Sequence, residues 1–281
     1  MSNTFEPQKI SREAYHFIAE KVYEHSRIRL GDDKQALVSG RLAKRLRALN
    51  LDSYESYCSF LKTAKGAEEI GPLVDAISTN HTQFFREIEH INFLRDVALR
   101  EWFPKVTRNR ETFKFWSAAS SSGEEPYTIA IVLSEFARTH GQFNWQIEGS
   151  DISSRILAKA QAGIYEESRL KLPQPEWLQR YFQKGTGDYA GHYRVKDFLL
   201  KQVKFHRLNL LQAQYPVQPN QHVIFCRNVM IYFDTQTQQE LVLKLINQLI
   251  PGGYFIVGHS ESLLGIKHPL KSIKPGIYQK F

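Results

Sequence analysis

The 281-residue sequence predicts an α/β protein, a doubly wound sheet with a small inserted antiparallel β subdomain, preceded by a small all-α domain. Three observations predict it. From residue 113 onward, short apolar runs alternate with helix-patterned segments, as in a parallel sheet with crossover helices. Before residue 78 the apolar residues recur at helical spacing and show no strand alternation. Between about residues 162 and 203 the chain spends some 40 residues on a link that usually takes about 2–6. That stretch contains GTGDYAGHYRVKDFLL, with turn glycines and short β-like runs. The expected division is 8–77 helical domain, 78–95 linker, 96–281 sheet domain, and 173–206 for the insertion.

In chain order, Ser11 caps a helix with Ala14, Phe17, Ile18 and Val22 at helical spacing. After the turn Gly31-Asp32-Asp33, Leu42, Leu46 and Leu49 share one helix face, and Arg41, Lys44 and Arg45 fall together on an adjacent one. Asp52 opens a third helix with Tyr54, Tyr57, Phe60 and Leu61, and a fourth covers about 67–77. STNHTQFFREIEH (78–90), with Asn80, Thr82 and Arg86 among Phe84 and Phe85, reads as a capped amphipathic connecting helix. FKFWSA (113–118) is the first strand and 126–138 the helix after it. WQIEGSDIS (145–153), VKFHRLNL (203–210), HVIFCRN (222–228), YFIVGHS (254–260) and GIYQKF (276–281) are further strands. Helices to about 162 and over 235–250 complete the alternation.

Composition sets outer bounds. Apolar residues at 42% and charged residues at 23% exclude global disorder. Cys58 and Cys226, far apart, cannot build a disulfide framework or a four-thiolate zinc site, which fits a reducing compartment. The first ten residues, MSNTFEPQKI, lack an apolar leader core, and no apolar run approaches the roughly 20 residues of a membrane helix. A soluble, cytoplasmic chain without membrane insertion is expected. The 37 Lys+Arg against 29 Asp+Glu invite an acidic partner.

Three segments suggest chemistry. In FWSAASSSGEEPY, the small residues Ala118 to Gly123 allow close approach to the backbone at a helix N-terminus. That end would suit a phosphate, but Glu124 and Glu125 repel one and favour an ammonium or sulfonium group. Asp151, at the end of the next strand, is placed to accept both hydroxyls of a ribose, although Asp and the nearby Ser153 are both common helix caps. Together these suggest a nucleoside without phosphates, and S-adenosylmethionine fits. IFCRNVMIYFD (224–234) puts Arg227 and Asn228 at the carboxyl edge of the sheet, where open α/β sheets bind ligands. A buried Arg227 needs a carboxylate partner in any case. GHSES (258–262) lacks the G-x-S-x-G pattern, and the ten histidines show no HExxH or paired metal spacing, so no metal is expected.

Taken together, STNHTQFFREIEH, FWSAASSSGEEPYTIAIVL, IEGSDISSRILAKAQAGIYEE, RYFQKGTG, FHRLNLL, IFCRNVMIYFDTQTQQELV and PGGYFIVGHSES resemble, collinearly and over about residues 8–281, the CheR-type chemoreceptor methyltransferases. These are S-adenosylmethionine-dependent protein-glutamate O-methyltransferases. The resemblance implies a class I methyltransferase sheet and cofactor contacts from Asn80, Thr82, Arg86, Ala118, Glu124, Asp151, Ile152, Asn209, Leu210, Arg227 and Asn228. Glu124 matches the position at the cofactor's amino-acid end, Asp151 the ribose, and Asn209 and Leu210 the adenine region. His81, Ile91 and Ser120 depart from the residues common there, and none of them removes a polar contact.

The resemblance also implies a cytoplasmic enzyme at membrane receptor arrays that turns receptor glutamates into methyl esters for chemotactic adaptation, with S-adenosylhomocysteine as product. Arg86 is expected to orient the acceptor carboxylate and Tyr232 to offer a hydroxyl near the transfer axis. Arg41, Lys44 and Arg45 are expected to dock the acidic helices of a chemoreceptor, and the β subdomain to bind a receptor's C-terminal pentapeptide by strand addition. A monomer is expected. The charge is distributed accordingly: residues 37–49 hold four basic and no acidic residues, and 169–207 nine basic and three acidic. No RNA-binding module is seen, which places an RNA methyltransferase second. A non-catalytic receptor-array adaptor is the remaining alternative.

Overall fold

The computed structural model describes residues 9–281. The MSNTFEPQ stretch and the expected domain start at residue 8 lie outside the described residues. The chain forms two compact units, one comprising residues up to Thr79 with Tyr232–Thr237, the other Asn80–Ile231 with Gln238–Phe281.

The first unit contains α1 (Arg12–Ser26), α2 (Gln35–Ala48), α3 (Tyr54–Leu61) and α4 (Ala64–Ile77). Ser11, Ser53 and Thr63 begin α1, α3 and α4 by accepting hydrogen bonds from the backbone N–H three residues on. Ser53 thus takes the cap expected of Asp52, whose carboxylate instead accepts from the Ser56 hydroxyl at 2.9 Å. Ile18, Val22, Leu42, Leu46, Tyr57 and Leu73 form the core. Tyr23 ties the 232–237 segment to this unit, its hydroxyl donating to Asp234 Oδ2 at 2.6 Å.

The second unit opens with a strap, residues 80–87, that is not helical. Its left-handed backbone at Phe85 (φ 55°) and Glu87 (φ 52°) excludes the helix expected there. A helix follows only from Ile88, running through α5 (Ile88–Phe93), one π turn (Leu94–Ala98) and α6 (Leu99–Asn109). Then come β1 (Thr112–Ala118), α7 (Glu124–His140), β2 (Asn144–Asp151) and α8 (Ser154–Ala162). Next are β3 (Ile164–Glu166), α9 (Glu176–Tyr181), β4 (Phe182–Lys184), β5 (His192–Val195), α10 (Asp197–Leu200) and β6 (Val203–Arg207). β7 (Gln221–Cys226), α11 (Thr235–Asn247), β8 (Leu249–Val257), β9 (Leu270–Lys274) and β10 (Ile277–Lys280) end the chain.

The main sheet runs in the order β6-β2-β1-β7-β8-β10-β9. The first five strands are parallel, whereas β10 pairs antiparallel with β8 and β9 with β10. The sheet is therefore mixed. β9 was not foreseen, because LKSIK buries only Leu270 and shows no apolar alternation. The small antiparallel sheet, β3-β5-β4, begins at Ile164, ahead of the 173–206 window, and Val203 already belongs to the main sheet. Phe113, Phe115, Ile129, Leu133, Ile147, Phe225 and Ile256 fill the core and hold the carboxyl ends of β1, β2 and β7 in one row.

Candidate active site

The loop leaving β1 carries φ values of 76° at Ala119, 49° at Ser121 and 94° at Gly123. Two of these are non-glycine residues in a sparsely populated region, a pattern that persists only where surrounding bonds impose it. Here Ala119 N and Ser120 N both donate to Ser150 O, at 2.9 and 2.7 Å, and Ser121 N donates to Asp151 Oδ2 at 3.0 Å. A Cβ on Gly123 would stand 2.8 Å from the Tyr165 hydroxyl, which donates to Ser122 O at 2.7 Å.

Asp151 ends β2 and is buried. Its other oxygen accepts from Ser153 N at 3.0 Å, while the Ser153 hydroxyl caps α8. The capping task that competed for Asp151 therefore falls to Ser153. Leu208 N donates to Asp151 O at 2.9 Å and draws the end of β6 in beside it. There Asn209 Oδ1 accepts from Leu211 N, and Leu210 O accepts from the Tyr215 hydroxyl.

The adjacent glutamates part company. Glu125 accepts from the Ser117 hydroxyl at 2.6 Å and from Arg227 Nη1 at 2.9 Å. Glu124 is fully buried and is held by the Ser122 hydroxyl and by Arg169 Nη2. Burial raises the Glu124 carboxyl above its ordinary value, and the Ser122 bond and the Arg169 charge offset only part of that rise. Arg169 was not singled out in the sequence. Only its place in the basic 169–207 run could have marked it.

The strap closes the row. Asn80 O accepts from the Ser121 hydroxyl at 3.3 Å, Thr82 O lies 3.4 Å from Arg169 Nη2, and Phe85 N donates to Thr128 Oγ1 at 3.1 Å. Arg86 Nη1 donates to His81 O at 2.9 Å. Arg227, expected at the pocket's far edge, has its donors spent within the protein: Nε and Nη2 on Glu87, Nη1 on Glu125, and Nη2 also on Arg86 O at 2.6 Å. Asn228, left-handed at φ 58°, donates to Glu87 Oε1 at 3.2 Å. Burial works to raise the Glu87 carboxyl, but the bond from His90, the Arg227 charge and Asn228 together hold it far below its ordinary value.

Glu261 is a second residue not singled out, although GHSES contains it. Its buried carboxylate accepts four backbone N–H groups, from Asn228, Val229, Met230 and Gly258, at 2.7 to 2.9 Å. Glu87, His90 and His259 bring donor atoms within 4.8 Å of one another. The one carboxylate of that trio already carries the Arg227 guanidinium at 3.0 Å, so a dication would be set against a fixed cation. We read the trio as a brace.

The second unit thus gathers Asn80, Thr82, Arg86, Ala118, Glu124, Asp151, Ile152, Asn209, Leu210, Arg227 and Asn228 along one sheet edge. Tyr232 and Arg41, Lys44 and Arg45 belong to the first unit. There Tyr232 O accepts from Arg29 N at 2.9 Å. Arg41 donates to Ile77 O and to Thr79 Oγ1, and Arg45 grips the buried Glu69 through Nε and Nη2. Lys44 is exposed.

Two buried carboxylates, Asp151 at the end of β2 and Glu124 at the start of α7, and Ser120 Oγ, buried with no hydrogen-bond partner among the described residues, suit a ligand with a cationic pole and hydroxyl donors better than a phosphate ester. The donor set fits S-adenosylmethionine. Residues 80–278 match the family described as "CheR methyltransferase, SAM binding domain", and residues 13–78 match its all-alpha domain. A chemotaxis protein methyltransferase of Salmonella typhimurium is 41% identical over 257 residues, covering 91% of this chain and 86% of the relative. Its Escherichia coli counterpart is 41% identical over 88% of this chain and 84% of its own length. Chemotaxis protein methyltransferase 2 of Pseudomonas aeruginosa is 38% identical over 95% of this chain and 93% of its own. No helix among the described residues is long and apolar enough to cross a membrane. The chain therefore belongs to the CheR methyltransferase family and binds S-adenosylmethionine.

Proposed function

We propose that the protein methylates glutamate carboxylates on the cytoplasmic helices of chemoreceptors and so serves adaptation in chemotaxis. The supporting observation is the contrast between two arginines of one network. Arg227 is buried with its donors satisfied, whereas Arg86 is about a third exposed and, among the described residues, makes one hydrogen bond, to His81 O. Its Nε lies 3.9 Å from Glu87 Oε1 and its Nη2 makes no hydrogen bond among the described residues, which leaves part of the fork for a carboxylate, a group that a planar guanidinium binds in two-point fashion.

When bound, S-adenosylmethionine supplies a methyl group on a sulfonium and leaves as S-adenosylhomocysteine. A glutamate acceptor has an ordinary pKa of about 4.3 and arrives ionised, so the reaction needs no general base. What these residues provide is placement. Asp151 would hold the ribose hydroxyls, Glu124 the cofactor's ammonium, and Asn209 and Leu210 the adenine. Arg86 orients the acceptor, and Arg227 acts indirectly by holding Glu87 and Glu125. Receptor docking is assigned to the cationic face of α2, and capture of a C-terminal pentapeptide to the β3-β5-β4 sheet. A monomer suffices for these roles.

Transfer of labelled methyl from S-adenosylmethionine to receptor cytoplasmic fragments tests the reading. The expected product is base-labile and maps to glutamates, and Arg86→Ala lowers kcat with a smaller effect on cofactor affinity. Label appearing on RNA, or base-stable label on the receptor, would overturn it.

A further inference from the structure

Glu124 is fully buried, and its side-chain partners among the described residues are the Ser122 hydroxyl and Arg169. Arg169 follows β3, ahead of α9, and its side chain is 43% exposed. One of its nitrogens, Nη2, meets Glu124 Oε1 and lies 3.4 Å from Thr82 O. Nε and Nη1 make no hydrogen bond among the described residues.

A carboxylate oxygen has room for more than one donor, so an ammonium can join Glu124 without expelling Arg169. That would set two cations against one carboxylate in a corner where charge is poorly screened. An amino acid brings its own remedy, because its carboxylate sits beside its ammonium. With Glu124 and Arg169 as the protein's pair, a zwitterion makes two cations and two anions, and the balance closes. A fork with open donors, next to where that carboxylate must lie, matches it in shape as well as charge.

We propose that Arg169 is a cofactor-binding residue that receives the α-carboxylate of S-adenosylmethionine and S-adenosylhomocysteine. The inference rests on the assignment of Glu124 to the ammonium. It makes the site selective for the intact amino acid, and it joins the cofactor to the segment that links β3 to the rest of the small sheet.

The test is calorimetric titration of the full-length protein with S-adenosylhomocysteine and with its analogue lacking the carboxylate. Arg169→Ala is expected to weaken S-adenosylhomocysteine about tenfold or more while changing the analogue by no more than about twofold. Arg169→Lys, which keeps the charge without the fork, should recover part of the loss. Equal weakening of both ligands would mean that Arg169 only shapes Glu124, and unchanged or tighter binding would mean that it blocks the pocket; either overturns the proposal. Glu124→Gln separates the two assignments. If that variant binds S-adenosylhomocysteine as the native protein does, the ammonium reading fails, while selective loss in Arg169→Ala would still place the carboxylate.

Discussion

Arg227 Nη2 lies 3.0 Å from Glu87 Oε2, and these side chains keep only 2% and 12% of their surface open to solvent. The pair joins the end of β7 to the strap, and Arg86 O is bound by the same nitrogen. Removing Arg227 leaves Glu87 buried without its guanidinium, a change that typically costs about 3–5 kcal/mol, whereas removing Glu87 leaves Arg227 its pair with Glu125 at 2.9 Å. Arg227→Ala should lower stability by about that amount in thermal or urea unfolding, and Glu87→Ala by less, because Glu125 still meets Arg227. Arg227→Lys should recover little, because three acceptors are met by a geometry that only a guanidinium has. A loss below about 1 kcal/mol would show that the strap is held elsewhere.

The same pair makes stability depend on pH with a definite sign. Glu87 titrates far below its ordinary value in the folded protein, so the unfolded chain takes up this proton first. The stability it contributes is complete above the unfolded value, about 4.3, and is lost as the pH falls below it. Glu124 acts in the opposite sense, since burial raises it. Wild-type unfolding free energy should therefore decline from about pH 5 downward, and Glu87→Gln should flatten that limb while lowering the plateau. Parallel limbs in the two proteins would remove Glu87 as the cause.

Glu261 should matter for binding as well as folding. Its four backbone bonds fix the turn carrying Asn228, and a Cβ on Gly258 would come within 2.5 Å of Asn228 Nδ2 and 2.9 Å of Glu261 Oε2. Glu261→Gln turns one acceptor into a donor facing N–H groups. The expected outcome is roughly tenfold weaker S-adenosylhomocysteine binding, a similar loss in Gly258→Ala, and less than additive loss when Glu261→Gln is combined with Asn228→Gly. Full additivity would show that Glu261 does not act through Asn228.

The strand alternation after residue 113 was legible because the central parallel strands carry short apolar runs, as FKFWSA and HVIFC show. The strap was not. FFRE has helical spacing, but Glu87 is drawn into a left-handed turn by Arg227, about 140 residues away, and local periodicity carries no trace of that pull. β9 was hidden because an exposed edge strand needs no alternation. Glu124 and Asp151 were readable from strand–turn–helix position. The long-range contacts around them were not: Arg169 reaches Glu124 from 45 residues along the chain, and Glu261 reaches the 228–230 turn, at the end of a neighbouring strand, from more than 30. Arg227 shows the limit in reverse. Its need for a carboxylate was evident, but Glu87 and Glu125 were found only through the fold.

The cationic face of α2 divides into structural and surface charges, and substitutions should separate them. Arg45 meets Glu69, itself 5% exposed and also bound by the Tyr57 hydroxyl at 3.0 Å, so Arg45→Ala strands a buried carboxylate. Arg45 is 28% exposed, and with that discount the loss should be about 2 kcal/mol or more. Lys44 is exposed and makes no side-chain hydrogen bond among the described residues, so Lys44→Glu should leave unfolding within about 0.5 kcal/mol of wild type. If α2 meets an acidic receptor helix, Lys44→Glu will raise the receptor KM several-fold at low salt, with kcat and cofactor affinity unchanged, and the effect will shrink as ionic strength rises. A receptor KM that ignores Lys44 but responds to Arg45→Ala only in step with lost stability would reduce this face to a scaffold for Glu69.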